Sequence, residues 1–94
     1  MNIVTAKEYE KEKVEFLHSH KDWNVITSPM DENGKYHKEY VCDNGDIWFE
    51  ICKPYEDTIE TEINRCKLNI DVTLFETEFW STSDSVSKFY YEPF

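Results

Sequence analysis

The sequence predicts an α+β fold, an N-terminal helix packed on an antiparallel meander sheet of about five to six strands. Two observations set this class. The apolar residues recur at helical spacing up to about residue 19 and then alternate with period two from Trp23 onward. The only two glycines stand in Asn33-Gly34 and Asn44-Gly45, the dipeptide that most strongly marks a hairpin turn. Size and composition agree: 94 residues with 39% hydrophobic and 16% aromatic side chains are enough for one core and too apolar for a disordered acidic tail. No stretch rich in Pro, Gly or Ser divides the chain, so residues 1–94 are read as a single domain.

The helix is placed at about 5 to 19. Thr5 and Glu8 have the spacing of a capping box, and Ala6, Tyr9, Phe16 and Leu17 follow at near-helical intervals. Lys7, Glu8, Glu10, Lys11, Glu12, Lys13 and Glu15 mix both signs and read as its solvated side. His18 and His20 fall at its end, where the helix dipole favours a cation.

Three strands follow, near 23–29, 36–43 and 46–53. A two-residue Asn44-Gly45 loop pairs Cys42 with Ile47, Tyr40 with Phe49 and Lys38 with Ile51 on one face, and Val41 with Trp48 and Glu39 with Glu50 on the other. A two-residue Asn33-Gly34 loop pairs Thr27 with Tyr40 and Val25 with Cys42, so both hairpins place their apolar residues on one shared face. Thr58–Asn64 suits either a short helix from Asp57 or a strand. The strand is favoured because a reversal at Arg65-Cys66 pairs Ile63 with Leu68, Thr61 with Ile70 and Ile59 with Val72. Leu68, Ile70, Val72 and Leu74 alternate, and the phase then slips to Phe75, Thr77 and Phe79, as a β-bulge produces. Ser81–Ser85 reads as a turn and Val86–Tyr91 as the last strand, stopped by Pro93. The helix must cover one face of this sheet, and the pattern does not choose which.

Charge is the strongest functional signal. Residues 39–94 hold 13 Asp and Glu against 4 Lys and Arg, whereas residues 1–38 hold 7 against 6. Fields of this kind act on partner choice rather than on fold, and the asymmetry points to a protein partner with a basic surface or groove. Glu39, Glu50, Glu60, Glu62, Asp71, Glu76 and Glu78 are assigned to the outward face, with Trp48 and Trp80 as aromatic anchors beside them. Carboxylates two apart on a strand lie about 6.5–7 Å from one another. That charge per length is comparable with a phosphate backbone at about 3.4 Å per charge along each strand, which is the basis for charge mimicry.

The other chemistries have weaker patterns. His37, Glu39, Glu50 and Cys52 share one face in the predicted hairpin, and those residue types can bind zinc; a small metal protein or enzyme centred on them is the alternative reading. A regulatory or structural subunit binding through exposed aromatics is another. With both glycines used in turns there is no glycine-rich phosphate loop, and ten scattered Lys and Arg form no basic patch, so neither a cofactor nor direct nucleic-acid binding is expected. Cys42, Cys52 and Cys66 have neither disulfide-framework nor paired-zinc spacing and read as free thiols. The start Met1-Asn2-Ile3-Val4-Thr5 lacks the pattern of a secretory signal, and no apolar run nears the roughly 20 residues of a membrane span, so a cytoplasmic protein is expected; with no motif that attaches to a reaction, it is read as non-enzymatic.

In size and acidity the chain resembles the small inhibitors that phages and mobile elements direct at host defence nucleases, anti-CRISPR proteins among them. The resemblance is one of class, carried by no motif. It implies a binding protein that blocks the nucleic-acid groove of a nuclease or other nucleic-acid-processing protein.

Overall fold

The computed structural model describes residues 2–55 and 74–93. Helix α1 (Ala6–His18) is followed by strands β1 (Trp23–Thr27), β2 (Tyr36–Cys42), β3 (Ile47–Tyr55), β4 (Leu74–Ser81) and β5 (Asp84–Pro93). The strands form one five-stranded sheet in the order β1-β2-β3-β4-β5, each antiparallel to its neighbours, so the fold is the α+β meander expected. Thr58–Asn64, the Arg65-Cys66 reversal, the alternation of Leu68, Ile70 and Val72, and Glu60, Glu62 and Asp71 lie outside the described residues.

Helix α1 starts because Thr5, in an extended conformation, accepts the Glu8 N–H (3.1 Å) and donates its hydroxyl to Glu8 Oε1 (3.2 Å). It stops at Ser19, whose N–H bonds the Glu15 carbonyl (3.1 Å) and whose hydroxyl bonds that of Phe16 (2.6 Å). The helix lays Tyr9, Phe16 and Leu17 on the sheet. They form the core with Tyr40, Cys42, Trp48, Phe79 and Tyr90, a predominantly aromatic cluster in which Tyr9 stacks on Tyr90 (4.0 Å between centroids) and meets Phe79 edge-on (4.7 Å).

The hairpin registers differ from the expectation, and the reason is local. Each Asn-Gly pair sits in a three-residue loop: Gly45 N–H bonds the Cys42 carbonyl (3.0 Å) while Cys42 N–H bonds that of Asp46 (2.8 Å), with Gly45 at φ 91°. Asp31, Gly34 and Lys35 repeat the pattern, with Gly34 at φ 81°. This is a type I turn closed by a left-handed glycine rather than a two-residue type I′ turn. Between β1 and β2 the register moves by two residues, one from the loop and one from an extra residue between Ser28, which faces His37, and Asp31, which faces Lys35; Val25 then faces Tyr40 and Trp23 faces Cys42, which keeps every side chain on its expected face. Between β2 and β3 it moves by one, Tyr40 facing Trp48, Lys38 facing Glu50 and Glu39 facing Phe49. A one-residue shift exchanges faces. Trp48, Glu50 and Cys52 therefore join Tyr40 and Cys42 beneath the helix, and Ile47, Phe49 and Ile51 turn outward with Val41, Glu39 and His37.

On β4, Phe75, Thr77 and Phe79 are buried as predicted. The last turn is tighter than expected, Ser81 facing Asp84 across Thr82 and Ser83, with a register irregularity between Phe79 and Ser81. Strand β5 is longer than Val86–Tyr91, and its outer edge is occupied by the N-terminal segment. Val4 N–H bonds the Phe89 carbonyl (2.8 Å), and Phe89 N–H bonds that of Asn2 (2.9 Å). Strand β1 forms the opposite edge and is exposed at all five residues. Among the described residues no helix is long and apolar enough to cross a membrane.

Candidate functional site

The two faces of the sheet carry different chemistry. On the face away from α1, Phe49 stacks on Trp80 across β3 and β4, with centroids 5.3 Å apart and 27° between planes. His37 stacks against Phe49 in turn (5.5 Å, 26°). The row has carboxylates beside it. Glu39 pairs with Phe49 across β2 and β3, and Glu78, two positions before Trp80 on the same face of β4, pairs with Ile51. Phe49, Trp80, Glu39 and Glu78 are all half-buried, so rings and acids both keep some surface open. Trp80, Glu39 and Glu78 thus stand on the outward side, as the sequence predicts.

Glu76 shares that face but is buried, with Lys53 Nζ 3.4 Å from its carboxylate. Burial pushes its pKa up, the effect of Lys53 being too small to reverse the shift.

Trp48 and Glu50 do not stand outward. They lie under α1, each 3% exposed, and the one-residue shift in the β2–β3 loop is the cause. Glu50 Oε1 accepts from Tyr9 Oη and from Trp48 Nε1 (3.1 Å) and is ion-paired with Lys13 Nζ (2.6 Å). Lys13 also donates to Tyr40 Oη (2.8 Å) and lies over the Tyr40 ring, 4.4 Å from its centroid. Burial opposes the ammonium, but its bonds to Glu50 and Tyr40 outweigh that and hold its pKa above the usual lysine value. Burial, then the Glu50 charge and hydrogen bond, push the Tyr9 phenol far up. A carboxylate with a matched cation and two neutral donors is a satisfied structural centre.

The sequence pattern puts Lys13 on the solvated helix side. It lies instead between the helix and the sheet, because it falls four residues after Tyr9 and three before Phe16, on the apolar stripe itself. That spacing was the available signal for it. The proposed set His37, Glu39, Glu50 and Cys52 is divided: His37 and Glu39 face outward, while Glu50 and Cys52 face the helix. Cys42 and Cys52 are buried free thiols, and burial raises the Cys42 pKa.

His20 has a second structural task beyond the helix dipole. Its Nδ1 is 2.7 Å from the Phe16 carbonyl oxygen and its Nε2 2.9 Å from Asp46 Oδ2, so both ring nitrogens face acceptors and the doubly protonated ring fits best. The bond to Asp46, then that to Phe16, raises the imidazole pKa, and the same bond with Asn44's help lowers that of Asp46. The ring fastens the end of α1 to the β2–β3 loop.

A cleft of about 340 Å³ opens between α1 and the β4–β5 hairpin. At its rim Lys88 is ion-paired with Glu12 (2.9 Å) and Asp84 (2.7 Å). Lys13, Lys53 and Lys88 are thus each ion-paired within the fold, with Glu50, with Glu76, and with Glu12 and Asp84 in turn. No protein-family model, curated protein or solved structure matches the chain.

Proposed function

We propose that the protein is a small, non-enzymatic binding protein of the cytoplasm that offers an acidic surface to the basic groove of a nucleic-acid-processing protein and inhibits it by occupying the place of the nucleic acid. The observation that carries this reading is the outer face itself. The flat row of His37, Phe49 and Trp80 lies beside Glu39 and Glu78 in a chain of net charge −10. A guanidinium stacks on an aromatic face and pairs with a carboxylate at its edge, so this combination suits arginines that otherwise grip phosphates. Glu39, Glu78 and Trp80 are the residues expected to touch the partner. Glu60, Glu62 and Asp71 belong to the same expectation by their charge, whereas Glu50, Trp48 and Glu76 support the surface from within.

The test is affinity capture from lysate at low and moderate salt, using the native chain, the Glu39→Lys/Glu78→Lys variant and Trp80→Ala. Expected is capture of a nucleic-acid-binding protein that DNA displaces, that moderate salt releases, and whose binding weakens by at least about tenfold (about 1.4 kcal/mol) on charge reversal. Capture indifferent to salt, to DNA and to charge reversal, but lost with Trp80→Ala, would instead identify an interaction subunit that binds through its aromatics.

A further inference from the structure

The two edges of the sheet are finished differently. The β5 edge is occupied by residues 2–4 and carries Lys88, Glu92 and Pro93 along its strand, the usual means of blunting an edge. The β1 edge has none of these within the strand. Residues 23–30 read Trp-Asn-Val-Ile-Thr-Ser-Pro-Met, an uncharged run in a chain of net charge −10. Trp23 is 37% exposed, Val25 50% and Ile26 54%, with apolar side chains bare on both faces of the strand. Trp23 and Val25 share the helix-side face with Tyr40 and Cys42, yet remain exposed while those two are buried.

We infer that β1 is a self-association strand, and that two copies of the chain pair antiparallel through it about a two-fold axis at Val25. The backbone decides which residues of β1 can bond a new strand. Asp43 N–H bonds the Asp22 carbonyl (3.0 Å) and Ser28 N–H bonds that of His37 (2.9 Å), so the even-numbered residues turn their polar groups toward β2. By the alternation of an antiparallel ladder, Trp23, Val25 and Thr27 turn theirs to the open edge. The Trp23 N–H is held by the carboxylate of Asp22 (2.8 Å). The N–H groups of Val25 and Thr27 are therefore the donors available to a new strand. With the axis at Val25, each Val25 bonds the other reciprocally, and Thr27 N–H of one copy meets the Trp23 carbonyl of the second. On the helix-side face Val25 then lies against Val25 and Trp23 against Thr27, and Ile26 lies opposite Asn24 on the other face. No charged residue is brought opposite another.

The occupant is a second copy rather than a foreign basic strand because the strip carries no charge with which to select one. An uncharged strip is also where two chains of the same high charge can approach with least repulsion. Salt screens what repulsion is left, so dimerisation should strengthen as ionic strength rises, opposite in sign to binding a basic partner.

Sedimentation of the full chain tests this. The native protein is expected to move from monomer toward dimer as salt is raised from about 20 mM to about 0.5 M. Val25→Glu, which sets two like charges face to face at an exposed position, should remain monomeric over that range with unchanged circular dichroism. Val25→Cys in a Cys66→Ser background should form a disulfide-linked dimer on mild oxidation, since directly opposed residues of such a pair lie about 5.5 Å apart at Cα. Ile26→Cys in the same background should not, because its neighbour is Asn24. A native protein that stays monomeric at all salt concentrations, association that weakens with salt, a dimer undisturbed by Val25→Glu, or equal crosslinking from both cysteine variants would each overturn the assignment.

Discussion

Glu50 is an anion 3% exposed in a chain that has far more acids than bases, and its neighbours explain how it is held there. An unpaired buried carboxylate is strongly destabilising, and Lys13 is the cation that prevents this. Lys13→Met should therefore lower stability by about 2–4 kcal/mol, somewhat below the value for a fully buried pair because the lysine side chain is 22% exposed. Adding Glu50→Gln should restore most of the loss, since the amide oxygen still accepts from Tyr9 and Trp48 without a charge. Chemical denaturation of the single and double variants measures this coupling directly. His20 gives a pH-dependent counterpart. Its folded pKa is raised, so the stability it contributes is complete below the ordinary histidine value of about 6.5 and is lost as pH rises through the folded pKa. Asp46 has a lowered pKa, so its share is complete above about 3.9 and is lost as pH falls through its folded value. Together they place the strongest fastening of α1 to the β2–β3 loop between roughly pH 4 and 6.5. Thermal unfolding of His20→Gln against the native chain should show a difference largest in that window, narrowing on its alkaline side.

At the scale of elements, one loop decides which residues meet the helix. The three-residue β2–β3 turn needs a left-handed residue at Gly45, where an added Cβ meets no atom within 4 Å. Gly45→Ala should thus cost about 1–2 kcal/mol through backbone strain alone, and a loss in that range with no change in near-ultraviolet circular dichroism would confirm it. The same loop marks the limit of what the sequence made legible. Helix α1 could be read from Thr5, Glu8 and its apolar spacing, and the strands from their alternation and their turns. Asn-Gly serves both a two-residue and a three-residue hairpin, however, and the two differ by the one residue that exchanges faces. Because β3 has apolar residues at Ile47, Phe49 and Ile51 as well as at Trp48 and Cys52, its pattern did not oppose the wrong choice. The two-residue loop accordingly points Trp48 and Glu50 outward, where the structure turns them to the helix, while Trp80, Glu39 and Glu78 stand on the expected side. Lys13 differs for another reason: its place on the apolar stripe signals a position against the sheet, but its charge favours the solvated side until its buried anion is known.

Across the whole molecule, one net charge acts on two kinds of association in opposite directions. Under the proposed function a basic partner is drawn to the outer face by a field that salt weakens, whereas a second copy is held off by the same field. Measured on one preparation over one salt series, the two readings separate: loss of partner and gain of dimer support both, and either trend alone identifies which surface is used. The three tryptophans are placed so that light can follow these events individually. Trp48 lies in the core with its indole N–H on Glu50, Trp80 in the outer ring row, and Trp23 on the bare edge strand. With the other two replaced by Phe, the emission colour and quenching of the indole that is left distinguish undocking of the helix, capture of a partner and pairing of copies, without any attached dye.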